Sequence, residues 1–153
     1  MEHLLVIVPC GQAKIWDRNP QFGPTPAGNA YTGAPFKVNK AYAQRFGEHW
    51  VILSAKYGFI APSFLLPGPY NVTFKTKATA PVAVSLLRRQ VKEQHLDRFA
   101  TIVALGGKDY QAAIQQAFDG LSINLRFPFA GLPLGIGMQQ VKRAIAAGIP
   151  FPD

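Results

Sequence analysis

Lysines and tyrosines recur just after short apolar runs in this chain, and that placement is where chemistry is sought first. In "VPCGQAKIWD", Cys10, Gln12, Lys14 and Asp17 follow the run Leu4–Val8. In "VILSAKYG", Ser54, Lys56 and Tyr57 follow Val51-Ile52-Leu53. In "LGGKDYQ", Gly106 and Gly107 precede Tyr110, and glycines there let backbone amides approach an anion at a helix start. A fourth run leads into "FPFAGLPLGIG", with Gly131 in the turn. Two lysines in one pocket repel each other's charge, as a nucleophile or proton donor requires; held apart, they clamp phosphate. Aromatic rings beside cations stack a base and hold its phosphate, a role open to Tyr31, Tyr57 and Tyr70. Phe36 reads as core packing. Cys10 is either a thiol activated by Lys14 or an inert buried cysteine.

Carboxylates that could serve as a general base are few. The chain has eight Asp and Glu, and only Asp17 and Asp109 fall near these loops. Asp17 also suits a turn before Asn19-Pro20, and Asp109 also suits a helix N-terminus. His3 and His49 precede their strands and His95 sits at a helix end, so a histidine triad is not expected. One cysteine and three scattered histidines lack zinc-ligand spacing. "GLPLGIG" lacks the dinucleotide-binding spacing, and no phosphate-loop lysine motif is present. Neither a metal nor a cofactor is expected.

The elements that must position these residues follow from periodicity. Apolar runs at Leu4–Val8, Trp50–Leu53, Thr101–Leu105 and Ile123–Phe127 read as strands. Helical spacing covers Ala34–Phe46, Pro81–His95, Asp109–Phe118 and Ile136–Ala147, the last ending at Gly148. The alternation predicts a single α/β domain over 1–153: a Rossmann-like three-layer α/β/α fold with a four-stranded, mostly parallel sheet. The long connections 11–33 and 61–80 are read as following strand ends, where open α/β sheets bind ligands.

Charge points to the partner. The net charge is +8, and residues 37–92 hold nine Lys and Arg against one acid, Glu48. A polyanion is the natural partner, with a solubilising surface as the plain alternative. Lys75, Lys77, Arg88, Arg89 and Lys92 are the candidates for a nucleic-acid backbone. No apolar run approaches the length of a membrane helix, and the N-terminus lacks the pattern of a signal peptide, so a cytoplasmic protein is expected. Oligomeric state is not legible.

"VILSAKYGFIAPSFLLPGPYNVTF" is similar to the Ser-Ala-Lys-Tyr-Gly-Leu and Pro-Tyr-Asp signature of small bacterial and phage proteins in a domain family of unknown function, distantly like the YaaA peroxide-stress proteins. "VPCGQAK", "AYTGAPFKVNKAYA", "ALGGKDYQAAI" and "PFAGLPLGIGMQQVK" follow that family's order over roughly residues 4–145. The resemblance implies polar site positions at Cys10, Lys14, Tyr31, Ser54, Lys56, Tyr57, Tyr70 and Tyr110. Where the family carries an acid after Pro-Tyr, this chain has Asn71. The YaaA likeness implies DNA association and protection against oxidative damage. A looser likeness is to the uracil-DNA glycosylase architecture, in which a polar residue after the first strand activates water and an aromatic stacks the flipped base. On that likeness the expected reaction is cleavage of a base–sugar bond in DNA, rather than RNA, or in a nucleotide-like ligand. The likeness would put Gln12 with Asp17 or Asn71 in the water-activating role and Tyr31 or Phe36 in the stacking role. The sharpest reading has Asp17 or Asn71 orient water, Tyr57 and Tyr70 hold the base, and Lys14 and Lys56 stabilise charge. The alternative is a non-catalytic DNA-binding, stress-protection protein.

Overall fold

A computed structural model describes residues 2–152. In chain order its first elements are β1 (Glu2–Pro9), β2 (Thr25–Pro26), α1 (Ala27–Ala30), α2 (Ala34–Phe46), β3 (His49–Ser54) and β4 (Gly58–Ile60). There follow β5 (Leu65–Leu66), α3 (Val84–Glu93), β6 (Phe99–Ala104), α4 (Lys108–Ala117), β7 (Asn124–Arg126) and α5 (Leu134–Ala147). The central sheet has five strands in the order β4-β3-β1-β6-β7. Pairing is parallel except between β3 and β4.

β1 is central and covered on both faces, which is why Leu5, Val6, Ile7 and Val8 form an unbroken apolar run rather than an alternating one. Alternate residues still face opposite ways. Val6, Val8, Ile52 and Val103 share a cluster with Phe36, Tyr42 and Ala43 of α2 and Val141 and Ala144 of α5. Leu5, Ile7, Val51, Leu53 and Ile102 share the other cluster, with Leu87 and Val91 of α3 and Ala113 and Ile114 of α4. Burying these two clusters is the main source of stabilisation.

The expected sheet of four strands is corrected to five. The fifth, β4, has three residues, too few to show a period, and it runs antiparallel to β3 through the tight turn 55–57. Lys56 and Tyr57 therefore lie in a hairpin turn rather than in a loop leaving the sheet. The connection 61–80 accordingly departs from the antiparallel strand β4, not from the carboxyl end of a parallel one. The two long connections are also tied together: β2 pairs with β5, and Ala27 and Gly28 N–H donate to the Phe64 and Pro62 carbonyls at 2.8 Å each. Gly28 eases that approach, since a Cβ there would stand 3.2 Å from Pro62, closer than ordinary contact. Helix α4 begins one residue before its expected start, at Lys108, and two helices begin further from theirs. α3 starts at Val84, beyond Pro81, and α5 starts at Leu134, directly after Pro133.

Candidate functional site

The carboxyl ends of β1, β3 and β6 supply the frame. Cys10 extends β1 by donating its N–H to the Leu53 carbonyl at 3.0 Å. The chain then turns through a short 3-10 segment, Ile15–Asp17. Asp17 caps that turn, its Oδ2 accepting the Lys14 N–H at 2.9 Å. Lys14 also forms a bridge with Tyr31, so residues 14 and 31 are fixed side by side. Ser54 ends β3 and shapes the hairpin turn, its Oγ accepting the N–H groups of Lys56 at 3.2 Å and Tyr57 at 3.1 Å. Tyr110 stands in the first turn of α4, behind Gly106 and Gly107.

Tyr70 joins these parts. Its hydroxyl is 2.9 Å from Ser54 Oγ and 2.5 Å from the Tyr31 hydroxyl. Its ring lies under the Lys14 amine, 4.4 Å from Nζ, with Lys56 Nζ 5.8 Å from the same centroid. Tyr57 meets Tyr70 edge-on at 5.6 Å and carries Lys56 Nζ 5.3 Å from its own centroid. Cys10 Sγ reaches the Tyr110 hydroxyl at 3.2 Å. All eight polar positions implied by the family resemblance thus belong to one linked cluster or its immediate edge.

Ser54 Oγ has two lone pairs, and both accept backbone N–H groups, so its own proton goes to Tyr70. Tyr31 and Tyr70 then bring two protons to the single bond between them. One phenolic proton has no acceptor among the described residues. Burial, the largest cause, holds the Tyr31, Tyr70 and Tyr110 phenols above their ordinary value, so these protons stay on. Lys14 is 5% exposed, and burial pushes its amine below the ordinary lysine value, against opposing influences from Cys10 and Asp17.

Other predicted residues are placed differently. Asn71 is exposed, as is Gln12, whose contribution is its backbone carbonyl, accepting from Lys14 Nζ at 3.0 Å. Gly107 caps α4, and Gly106 packs against Pro9 and Tyr110 while its carbonyl accepts from Gln111 Nε2 at 2.9 Å. Gly131 sits in an exposed turn with φ 74° and open space where a side chain would be. Lys75 and Lys77 are exposed beside Phe74, whose ring packs on Tyr110 at 5.2 Å. Arg88 donates to the Gln116 carbonyl at 3.1 Å and lies 3.7 Å from Asp119, while Arg89 pairs with Glu93 at 3.3 Å. Lys92 is exposed near the end of α3.

Three contributors were not legible. Gln90 of α3 braces the hairpin, accepting the Phe59 N–H at 2.8 Å and donating to the Tyr57 carbonyl at 2.9 Å. Phe64 packs on Tyr57 at 5.4 Å, and Phe74 supports Tyr110. Phe64 and Phe74 had a signal, since both fall in the stretch "VILSAKYGFIAPSFLLPGPYNVTF"; Gln90 is an ordinary helix residue in sequence. Among the described residues no group of three or more His, Cys, Asp or Glu could hold a metal ion, and no helix is long and apolar enough to cross a membrane. Two surface cavities, of about 530 and 350 Å³, lie away from the cluster, beside Arg126 and Phe151 and between Lys37 and Lys142. Neither gathers polar side chains as the cluster does. The chemistry therefore directs attention to the strand ends.

A mostly parallel sheet with polar side chains gathered at its strand ends defines an α/β protein with a candidate ligand site in the usual place. The chain belongs to a family of unknown function, DUF6884, whose model matches residues 5–143. It is 37% identical over 142 residues to the uncharacterized protein YfjM of Bacillus subtilis (strain 168), covering 92% of this chain and 94% of that one. It is also similar to the crystal structure of AF0587, a protein of unknown function, with TM-score 0.45 and 11% identity. That match covers 99% of this chain and 47% of the other, so the chain spans about half of that protein's length.

Proposed function

We propose that this is a Rossmann-like, three-layer α/β/α protein whose strand-end cluster binds a nucleotide or a segment of DNA and cleaves its base–sugar bond. The observation that carries this reading is the approach of two lysine amines to one tyrosine ring, 4.4 and 5.8 Å from the Tyr70 centroid, above a chain of hydroxyls. Cations beside aromatic rings suit a ligand with a flat base and a phosphate. Lys56 is exposed and contacts the phosphate; Lys75 and Lys77 continue the positive surface. Tyr57 and Tyr70 hold the base against the corner that their edge-on rings form. The spare phenolic proton is donated to an oxygen or nitrogen that gains charge as the bond breaks. Asp17, with one oxygen on the Lys14 N–H, orients water, and Asn71 is the polar alternative beside Tyr70.

Base release from a panel of modified single- and double-stranded DNA, read by mass spectrometry, tests this. One substrate is expected to lose its base, and Asp17→Ala to slow release by ~10²-fold while binding persists. No release from any substrate, with salt-sensitive DNA binding intact, would transfer the function to DNA binding alone.

A further inference from the structure

The surroundings of Lys14 suit chemistry that base–sugar cleavage with water does not require. The residue is 5% exposed, and the ion pairs Arg88–Asp119 and Arg89–Glu93 lie elsewhere. The Asp17 oxygen that lies near it accepts the Lys14 backbone N–H, not the amine. Nζ keeps one hydrogen bond, to the Gln12 carbonyl, and otherwise faces the Tyr70 ring. Burial with a single hydrogen bond makes this ammonium give up its proton more readily than an exposed lysine, and the direction in which burial moves the amine agrees. A neutral primary amine is a nucleophile, and buried lysines are the ones used to form imines. The second requirement of imine chemistry is a proton donor for the carbonyl oxygen. The Tyr31–Tyr70 pair holds one such proton, on rings whose centroids lie 5.8 and 4.4 Å from the amine.

We propose that Lys14 forms an imine with an aldehyde-bearing ligand, the open-chain form of a base-free deoxyribose in DNA. The choice of aldehyde rests on the base–sugar reading above, because cleavage with water leaves a hemiacetal at C1′ that opens to an aldehyde. The Nζ lone pair bonds to C1′ while the carbonyl pair moves onto oxygen, which takes the spare phenolic proton. The nitrogen then returns a proton to the phenolate, and the restored phenol gives it to the hydroxyl, which leaves as water. The product is a protonated imine balanced by that phenolate, its positive charge also within the electrostatic influence of Asp17. Addition of water reverses each step and restores the amine. Amine and aldehyde give imine and water, with no change of oxidation state.

Trapping tests it. The protein is incubated with an oligodeoxynucleotide carrying one abasic site, with sodium cyanoborohydride, and the adduct is located by peptide mass spectrometry. Binding of the same oligonucleotide is followed in parallel by fluorescence anisotropy. The expected result is an adduct on Lys14 itself, reduced at least ~10-fold in Lys14→Met and in Lys14→Arg, which keeps the charge without the nucleophile. Lys142→Ala, on the outer surface of α5, should leave trapping unchanged. Mapping in the unaltered protein keeps the result independent of whether either Lys14 variant folds. Binding without an adduct, or an adduct confined to surface lysines, overturns the imine and leaves the base–sugar reading standing. Absence of binding as well removes both.

Discussion

At the scale of the residue, the cluster is a small proton reservoir sealed by burial, and its titration has a definite sign. The Tyr31, Tyr70 and Tyr110 phenols are held above their ordinary value of 10.0, first by burial. In the unfolded chain they ionise near that value. Their contribution to stability is therefore complete below pH 10.0 and is lost as pH rises from there toward the folded values. Each phenol adds a slope of about 1.4 kcal/mol per pH unit once only the unfolded chain ionises. Lys14 acts the other way: its folded value lies below 10.5, so its cost is full at low pH and fades as pH approaches 10.5. Urea unfolding followed from about pH 8 to about pH 11 should show stability falling at the alkaline end. Tyr70→Phe should remove one phenol's share of that fall and cost about 1 kcal/mol at neutral pH by breaking the hydroxyl chain. An unchanged alkaline slope in that variant would mean that the Tyr70 phenol is not held protonated by the fold.

At the scale of the element, the β3–β4 hairpin decides where Lys56 and Tyr57 stand, and it is locked from outside by α3. Gly58 has φ 77°, and a side chain there would collide with the Gln90 amide. Gln90 in turn holds the backbone of Tyr57 and Phe59. Gly58→Ala should cost ~2–4 kcal/mol, from left-handed strain and from displaced hydrogen bonds. Gln90→Ala should cost ~2 kcal/mol by leaving two backbone groups unpaired. Because both lesions disturb the same brace, the double variant should cost less than their sum by at least ~0.5 kcal/mol, measured by chemical denaturation. Full additivity would show that the glycine and the glutamine act independently. The same hairpin marks the boundary of what could be read in advance. Helix α2 was legible over Ala34–Phe46 because its apolar residues Phe36, Tyr42 and Phe46 recur at helical spacing. β1 was legible because an unbroken apolar run has few other homes, and α5 because Gly148 ends it in a left-handed cap with φ 69°. The strand-end position of Lys14 and Ser54 followed from those same runs. β4, the Gln90 brace and the Cys10–Tyr110 contact were not legible. They are decided by pairings between residues distant in the chain, and three residues such as Gly58-Phe59-Ile60 carry no period of their own.

At the scale of the whole molecule, the excess positive charge of residues 37–92 is divided by the fold rather than gathered into one stripe. Lys37, Lys40 and Arg45 ride on α2, and Lys40 Nζ donates to the Gly28 carbonyl at 2.7 Å. Arg88, Arg89 and Lys92 ride on α3, which packs on the opposite face of the sheet, and the two arginines already meet Asp119 and Glu93. Lys56, Lys75 and Lys77 lie in the connections that carry Tyr57, Tyr70 and Phe74. A DNA strand engaged at the cluster meets the third group first. Neutralising Lys56, Lys75 and Lys77 together should weaken DNA binding and flatten its salt dependence. For every phosphate that these lysines no longer neutralise, the slope of log K against log[salt] should fall by about 0.7 on single strands and about 0.9 on duplex. Neutralising Arg88, Arg89 and Lys92 should change that slope far less, since surface cations away from the bound strand contribute little at physiological salt. Titrations at several salt concentrations separate the two. If the α3 variant flattens the slope and the rim variant keeps it, DNA lies across the helix face, and the tyrosine cluster then serves a small ligand rather than the polymer.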